Sequence, residues 1–386
     1  MSHATRALPW LLAFAACAAC AGLVGYDDLR VEAVDATPAE TATDAPAEDV
    51  GRDVGDTPPP TAVPPGPPTG DAKPSGKGKT LWFAVDHLFL GQRDPLTGSV
   101  SADAWRGLGH DVDRVCTGPT ESKENTNTCR RPAGANQDSL VDGLGCRDNN
   151  FGAKFLPLAA VYLSTLEADT NARLLEGSST LLFALDDLDD GPDDPYVVGR
   201  LYSAAKWKDF GKTPPRWDGT DQREVTDDTV VGGDVSKPLS RYVGYLAGNV
   251  WVSGAPAPLA LGLPFNTIPV KLSLVGATVT IALDDKHERP TGGVISGGMP
   301  TRVLGDVLGP IADVAGVCPG STLYNSLFTT VTRMADLVEG QPRLQSTAVE
   351  CDTMSVGLAF TAVPVVPPTT AVPRPGNSSK CDAGPG

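Results

Sequence analysis

From Thr80 to Leu90 the chain reads TLWFAVDHLFL, a nearly unbroken apolar run that predicts a β-strand covered on both faces. Near the other end, MSVGLAFTAV (354–363) alternates strictly. Met354, Val356, Leu358, Phe360 and Ala362 share one face, and Ser355, Gly357, Ala359 and Thr361 the other. That period predicts a half-buried strand. Between them, TLLFALDD (180–187), VVGRLYSAA (197–205), GNVWVSG (248–254) and VKLSLVGATVTIAL (270–283) are further strand candidates. In the last, the apolar phase moves from Val270, Leu272 and Leu274 to Val279, Ile281 and Leu283. A bulge or tight turn near Val275-Gly276 is needed to keep both halves facing one core.

Helical spacing occurs in three stretches. Residues 156–177 carry Pro157 in a first turn and Leu158, Ala159, Tyr162 and Leu166 on one stripe. Residues 301–316 have the spacing but contain Gly305 and Pro310. Residues 321–340 open on Ser321 as N-cap, turn Leu323, Leu327, Val331, Met334 and Val338 inward, and stop at Gly340. Strands first and last, helices inserted and many Gly/Pro turns predict a mainly β fold with about three helices. The expected form is an antiparallel β-sandwich, jelly-roll-like, with an α+β arrangement as the alternative. Residues 80–364 are expected to form one globular domain.

Composition changes the picture outside those limits. From Val31 to Lys79 the chain is dominated by Pro, Ala, Thr, Gly and Asp, so it buries little apolar surface and is expected to be a disordered, partly polyproline linker. The Pro-rich end, 365–386, has a similar composition, with Cys381 able to pin it to the body. At the start, MSHATR is followed by ALPWLLAFAA, the layout of a secretory signal peptide, too short to span a bilayer.

Small residues leading into Cys17 (FAAC) and Cys20 (CAAC) resemble the lipobox of bacterial lipoproteins, although neither has the usual Leu three residues earlier. The resemblance implies cleavage before an acylated cysteine. Of the 8 cysteines, cleavage before Cys20 removes Cys17 and leaves an even set in the body: Cys116, Cys129, Cys146, Cys318, Cys351 and Cys381. Cys20 is therefore the expected lipidation site, with Cys17 as the alternative, and 1–19 the signal peptide. Residues 20–79 then form the lipid-anchored linker. Because Ala21 rather than Asp follows Cys20, the resemblance implies the outer membrane or cell surface, with the lipid as the contact to the membrane. Ordinary cleavage at Ala19-Cys20-Ala21 and free secretion is the alternative. The order GHDVDRVC…C…DGLGCRDNNFG followed by CDTMSVGLAF also resembles uncharacterised secreted lipoproteins of soil bacteria. That likeness implies one folded unit and carries no activity with it.

Six body cysteines suit three disulfides in an oxidising compartment and allow 15 pairings. Proximity along the chain favours Cys116–Cys129 and Cys318–Cys351, leaving Cys146 with Cys381. The net charge of −16, with no basic cluster, argues against a nucleic-acid partner and suits solubility and cations.

The richest segment chemically is 109–152, with Asp111 and Asp113 near one end and Asp142, Asp148, Asn149 and Asn150 near the other. Oxygen ligands on irregular backbone are what Ca²⁺ requires, so Asp111, Asp113, Asp148 and Asn149 are the candidate calcium ligands. The competing reading makes these residues turn and cap formers, with Asn149 or Asn150 starting the next helix. The acidic run LDDLDDGPDDP (185–195) fails as an EF-hand. With Gly191 at loop position six, Leu188 and Val197 occupy positions that need oxygen ligands, and a solvated loop between strands is expected.

No catalytic residue is assigned. His87, His110 and His287 lack zinc spacing, no nucleophile elbow or phosphate loop occurs, and GGVISGG (292–298) is expected to be a turn. Trp207 and Trp217, in KWKDFGKTPPRWDG (206–219), are candidate carbohydrate-stacking residues, a lid packed on the sheet being the alternative. The sequence reading leans away from an enzyme, towards a surface-tethered binding module for carbohydrate or envelope polymer. The alternatives are a hydrolase of surface polysaccharide or ester and a structural envelope component.

Overall fold

Strands fall where apolar runs and alternation place them, and their pairing closes a ring. The computed structural model describes residues 62–118, 128–135, 141–265, 268–344, 346–374 and 381. The main strands are β1 (Lys79–Phe89), β2 (Leu181–Leu188), β3 (Asp194–Ser203), β4 (Ser240–Ala247), β5 (Val250–Val252), β6 (Ala257–Phe265), β7 (Ile268–Leu283), β8 (Pro290–Pro300) and β9 (Thr353–Pro364). The order is β7-β8-β9-β1-β2-β3-β4-β5, and β5 pairs back onto β7, so an 8-stranded antiparallel barrel is closed. The expected sandwich is therefore corrected to a barrel. Pairing of Val250–Val252 with Thr280–Ala282 joins the two edges that a sandwich would leave apart.

The bulge foreseen in β7 makes that closure possible. Its register with β8 shifts between Val275 and Thr278, and Gly276 takes φ 57°, which favours glycine. The first half of β7 pairs with β6 and the second half with β5, along the same edge. Leu272 and Leu274 before the bulge and Val279 and Ile281 after it are all buried in one core. Inside the barrel Phe183 stacks between Phe83 and Phe360, at 5.4 Å on each side.

GGVISGG is a barrel strand rather than a turn. At Gly293 a Cβ would stand 2.1 Å from the Phe360 ring, so the absence of a side chain there lets that ring lie flat on the wall. β9 is also buried on both faces, not one. Its outer face is covered by the excursion between β1 and β2, and a Cβ on Gly357 would lie 2.7 Å from the Gly109 Cα. Phe89, Leu108, Val294 and Ala359 form the small core of that outer layer.

Among the described residues four helices stand where about three were expected. The 156–177 stretch divides into α1 (Leu156–Ala160) and α2 (Leu166–Leu175), preceded by a π-turn at Phe151–Phe155. The Glu167 carboxylate at the start of α2 accepts the amides of Leu90, Gly91 and Gln92, anchoring the helix to the turn that leaves β1. Pro310 is accommodated within α3 (Leu304–Val314). Ser321 caps α4 (Thr322–Thr332) by accepting from the Tyr324 amide, but the helix ends well before Gly340. Beyond it, Asp336 and Leu337 donate their amides to the Thr353 carbonyl at the start of β9, which competes with helical pairing.

The described parts of both flanks lie on the body. From Ala62 to Gly78 the Pro-rich segment lies on the body, with the Tyr245 hydroxyl donating to the Pro65 carbonyl at 2.6 Å. After β9, Ala371 and Val372 pair in parallel with Val225 and Thr226. Cysteine pairing differs from proximity: the disulfides are Cys116–Cys146, Cys129–Cys351 and Cys318–Cys381, with Cα separations of 4.8, 5.3 and 5.4 Å. The fold sets the spacing, bringing together residues separated by 30, 222 and 63 positions in sequence. Cys17 and Cys20 lie outside the described residues.

Candidate functional site

The outer layer over β7, β8 and β9 is built from two loop segments, 109–117 and 141–150, stapled by Cys116–Cys146. The Asp148 amide donates to the His110 carbonyl at 3.0 Å and the Asp142 amide to the Thr117 carbonyl at 2.9 Å. Arg114 and Cys146 both take φ 67°, left-handed backbone that costs free energy and persists where the surroundings hold it.

On this frame Asp111, Asp113 and Asp148 converge, each offering an oxygen within 4.8 Å of the others. Asp113 and Asp148 are both 2% exposed and Asp111 is half-buried. Three carboxylate oxygens this close together can reach one cation, and an all-oxygen set suits a hard ion such as Ca²⁺. The carboxylates are aimed by backbone donors. Asp148 Oδ2 accepts from the amides of Val112 at 2.6 Å and Asp113 at 3.2 Å, and Asp111 Oδ1 from Arg114 at 2.6 Å. Asp113 accepts from the Val115 amide and the Thr128 hydroxyl. Asp148 Oδ1 and Asp111 Oδ2 take no part in these bonds.

The surroundings are acidic beyond the triplet. Asp142 accepts from the Thr117 amide, and buried Asp336 accepts from the Ser355 amide and hydroxyl. Burial, then the charges of Asp113, Asp142 and Asp336, hold the Asp148 carboxyl well above the usual range. Burial pushes Asp113 up to about 6 and Asp142 to about 8, and it raises Asp336 as well. Arg131 offsets part of this charge at Asp142 and Asp336. Such a group of carboxylates holds protons, or it holds a cation.

Asn149 is not brought into the triplet. Its side-chain oxygen accepts from the amides of Gly152 at 2.9 Å and Gly357 at 3.0 Å, and its Nδ2 donates to the Trp105 carbonyl. It caps the π-turn and ties the outer layer to β9. Asp142 and Asp336 join the electrostatics instead. Asp142 lies in the acidic stretch already singled out, whereas no sequence signal marks Asp336, nearly two hundred residues further on.

No family model matches the chain. No curated protein and no solved structure matches it either.

The two tryptophans differ in exposure. Trp217 is 9% exposed and donates Nε1–H to the Leu175 carbonyl, and half-buried Trp207 donates to Thr213. The Arg223 guanidinium lies 5.5 Å from the Trp217 ring and 6.0 Å from the Trp207 ring, and its Nη2 donates to Gly177, Ser178 and Ala205 carbonyls. Trp217 is thus packed into the body, while Trp207 keeps part of its ring at the surface. The acidic run 185–195 ends β2 and turns into β3, with Asp187 accepting the amides of Gly76 and Gly78.

Proposed function

We propose that this chain is an exported, lipid-tethered envelope protein whose folded part is a non-catalytic binding domain loaded with calcium at Asp111, Asp113 and Asp148. The observation that carries the reading is the convergence of these three carboxylates, from two loop segments, within the span of one calcium shell. Three supports accompany it. The oxygens are oriented by backbone donors before any ion arrives, which lowers the ordering cost of binding. Pairing of all six body cysteines is the usage of an oxidising compartment. Residues 1–20 carry the lipobox-like start that would anchor the protein at the outer membrane or cell surface. Calcium there would neutralise the buried charge and hold the outer loop layer as a surface for an envelope partner, carbohydrate being one candidate.

Calorimetric titration of the purified protein with CaCl₂ tests this directly. A saturable heat at one ion per chain is expected, together with a rise in melting temperature of about 5 °C at a hundredfold excess over Kd. Asp148→Asn should abolish both effects. No heat and an unchanged melting temperature would sink the calcium reading.

A further inference from the structure

The Pro-rich segment ahead of β1 crosses the body from the acidic site to the β2–β3 turn. At its start the Asp111 amide donates to the Ala62 carbonyl at 2.8 Å. Pro64 borders a cavity of about 50 Å³ together with His110, Asp111, Thr278, Ser296 and Arg343. Next, Tyr245 holds the Pro65 carbonyl. At its end Ser75 donates to Asp187 at 3.0 Å or to Asp189 at 2.9 Å, and Gly76 and Gly78 donate their amides to Asp187. A proline-rich strand has few amides to give, so its first part is held through the carbonyls of Ala62 and Pro65, and its end, where prolines stop, through Ser75, Gly76 and Gly78.

One residue joins this strap to the cation site. The Asp111 amide grips Ala62, while the Asp111 carboxylate belongs to the triplet. An independent observation points to an occupant in the cavity that Asp111 borders beside the triplet. Ser296 is 1% exposed, and its Oγ has no hydrogen-bond partner among the described residues although it borders the cavity under Pro64. A Cβ on Gly109 would lie 3.3 Å from the Asp148 carbonyl and 3.4 Å from Ser296 Oγ, so the cavity and the acidic loop adjoin. A buried hydroxyl facing a space of this size calls for a water molecule or an ion with its hydration.

We infer that calcium at Asp111, Asp113 and Asp148 locks the Pro-rich strap Ala62–Gly78 onto the barrel, so that cation occupancy sets how far the domain stands from its anchor. The inference rests on the calcium reading above. With the ion bound, the 111–115 turn is rigid and presents the Asp111 amide to Ala62, with Pro64 closing the cavity. Without it, nothing ties Asp111 to Asp113 and Asp148, the turn loosens, and the roof lifts. The strap is mostly exposed, which makes it a segment of low local stability. Once released and extended at about 3.1 Å per residue, it adds up to roughly 50 Å of reach. Coupling is reciprocal: whatever loosens the strap must weaken calcium by the same factor.

Two measurements on the full chain test the coupling. Hydrogen exchange of the Asp111 amide, and tryptic cleavage after Lys77, are expected to accelerate at least tenfold when calcium is replaced by a chelator. Tyr245→Phe removes the grip on Pro65 without touching a carboxylate, and it is expected to raise the calcium Kd several-fold. Calorimetric calcium binding with unchanged exchange and cleavage, or an unaltered Kd in Tyr245→Phe, overturns the coupling and leaves the calcium site standing. Absence of calcium binding in the unmodified protein overturns both.

Discussion

Carboxylates buried side by side make the protein's stability depend on what neutralises them. Asp113 is pushed up to about 6 and Asp142 to about 8, chiefly by burial, so the folded state holds these protons more tightly than the unfolded chain does. A folded-state value above the unfolded one gives stability that is complete below about pH 4 and is lost as pH rises through the folded values. For the metal-free protein these groups therefore predict a melting temperature that falls between pH 4 and pH 8. Saturating calcium should flatten that part of the profile, because the ion replaces the protons. Melting curves in chelator and in calcium at stepped pH measure both slopes. Parallel profiles would mean that the carboxylates stay protonated and hold no ion. At this scale the acids of 109–152 were legible as candidates. Asp336 was not, because it reaches the group from the segment after α4.

Between elements, the important contact is the outer loop layer against the barrel wall. Backbone meets backbone there: a Cβ on Gly357 would lie 2.7 Å from the Gly109 Cα and 2.9 Å from the Leu108 carbonyl, neither of which can swing aside like a side chain. Gly357→Ala is expected to lift the layer and cost about 1–3 kcal/mol, the usual range for an overpacked site. Urea unfolding measures that loss, and calcium affinity should weaken along with it, since Asp111, Asp113 and Asp148 ride on the layer. A stability loss with unchanged calcium affinity would show that layer and site are independent. Alternation in MSVGLAFTAV revealed the strand but not this cover. Small residues on the second face read as solvent-facing when they in fact admit another backbone.

For the molecule as a whole, the disulfides act on loops of very different length. Proximity along the chain favoured Cys116–Cys129, yet Cys129 pairs with Cys351 across a separation of 222 residues. In the chain-entropy account a loop of that length stabilises by on the order of 5 kcal/mol, against about 3 for a short one. Replacing Cys129 and Cys351 together by Ala should therefore lower stability by several kcal/mol in denaturant unfolding. Non-reducing peptide mapping is expected to recover the pairs Cys116–Cys146, Cys129–Cys351 and Cys318–Cys381. Recovery of Cys116–Cys129 instead would contradict the arrangement of the loop layer.

Period and phase along the chain determined the strands, the bulge at Val275-Gly276, the Ser321 cap and the failure of the EF-hand reading, since each depends on residues within a few positions of one another. Tertiary structure alone decided barrel against sandwich, the cysteine partners, the burial of Trp217, and the docking of the described Pro-rich segment. Each of those depends on which distant segments meet, and local patterning leaves many such pairings equally open. The calcium candidate lies between the two. Composition supplied its carboxylates, and closure of the barrel wall beneath the stapled loops brought Asp111, Asp113 and Asp148 within reach of one ion.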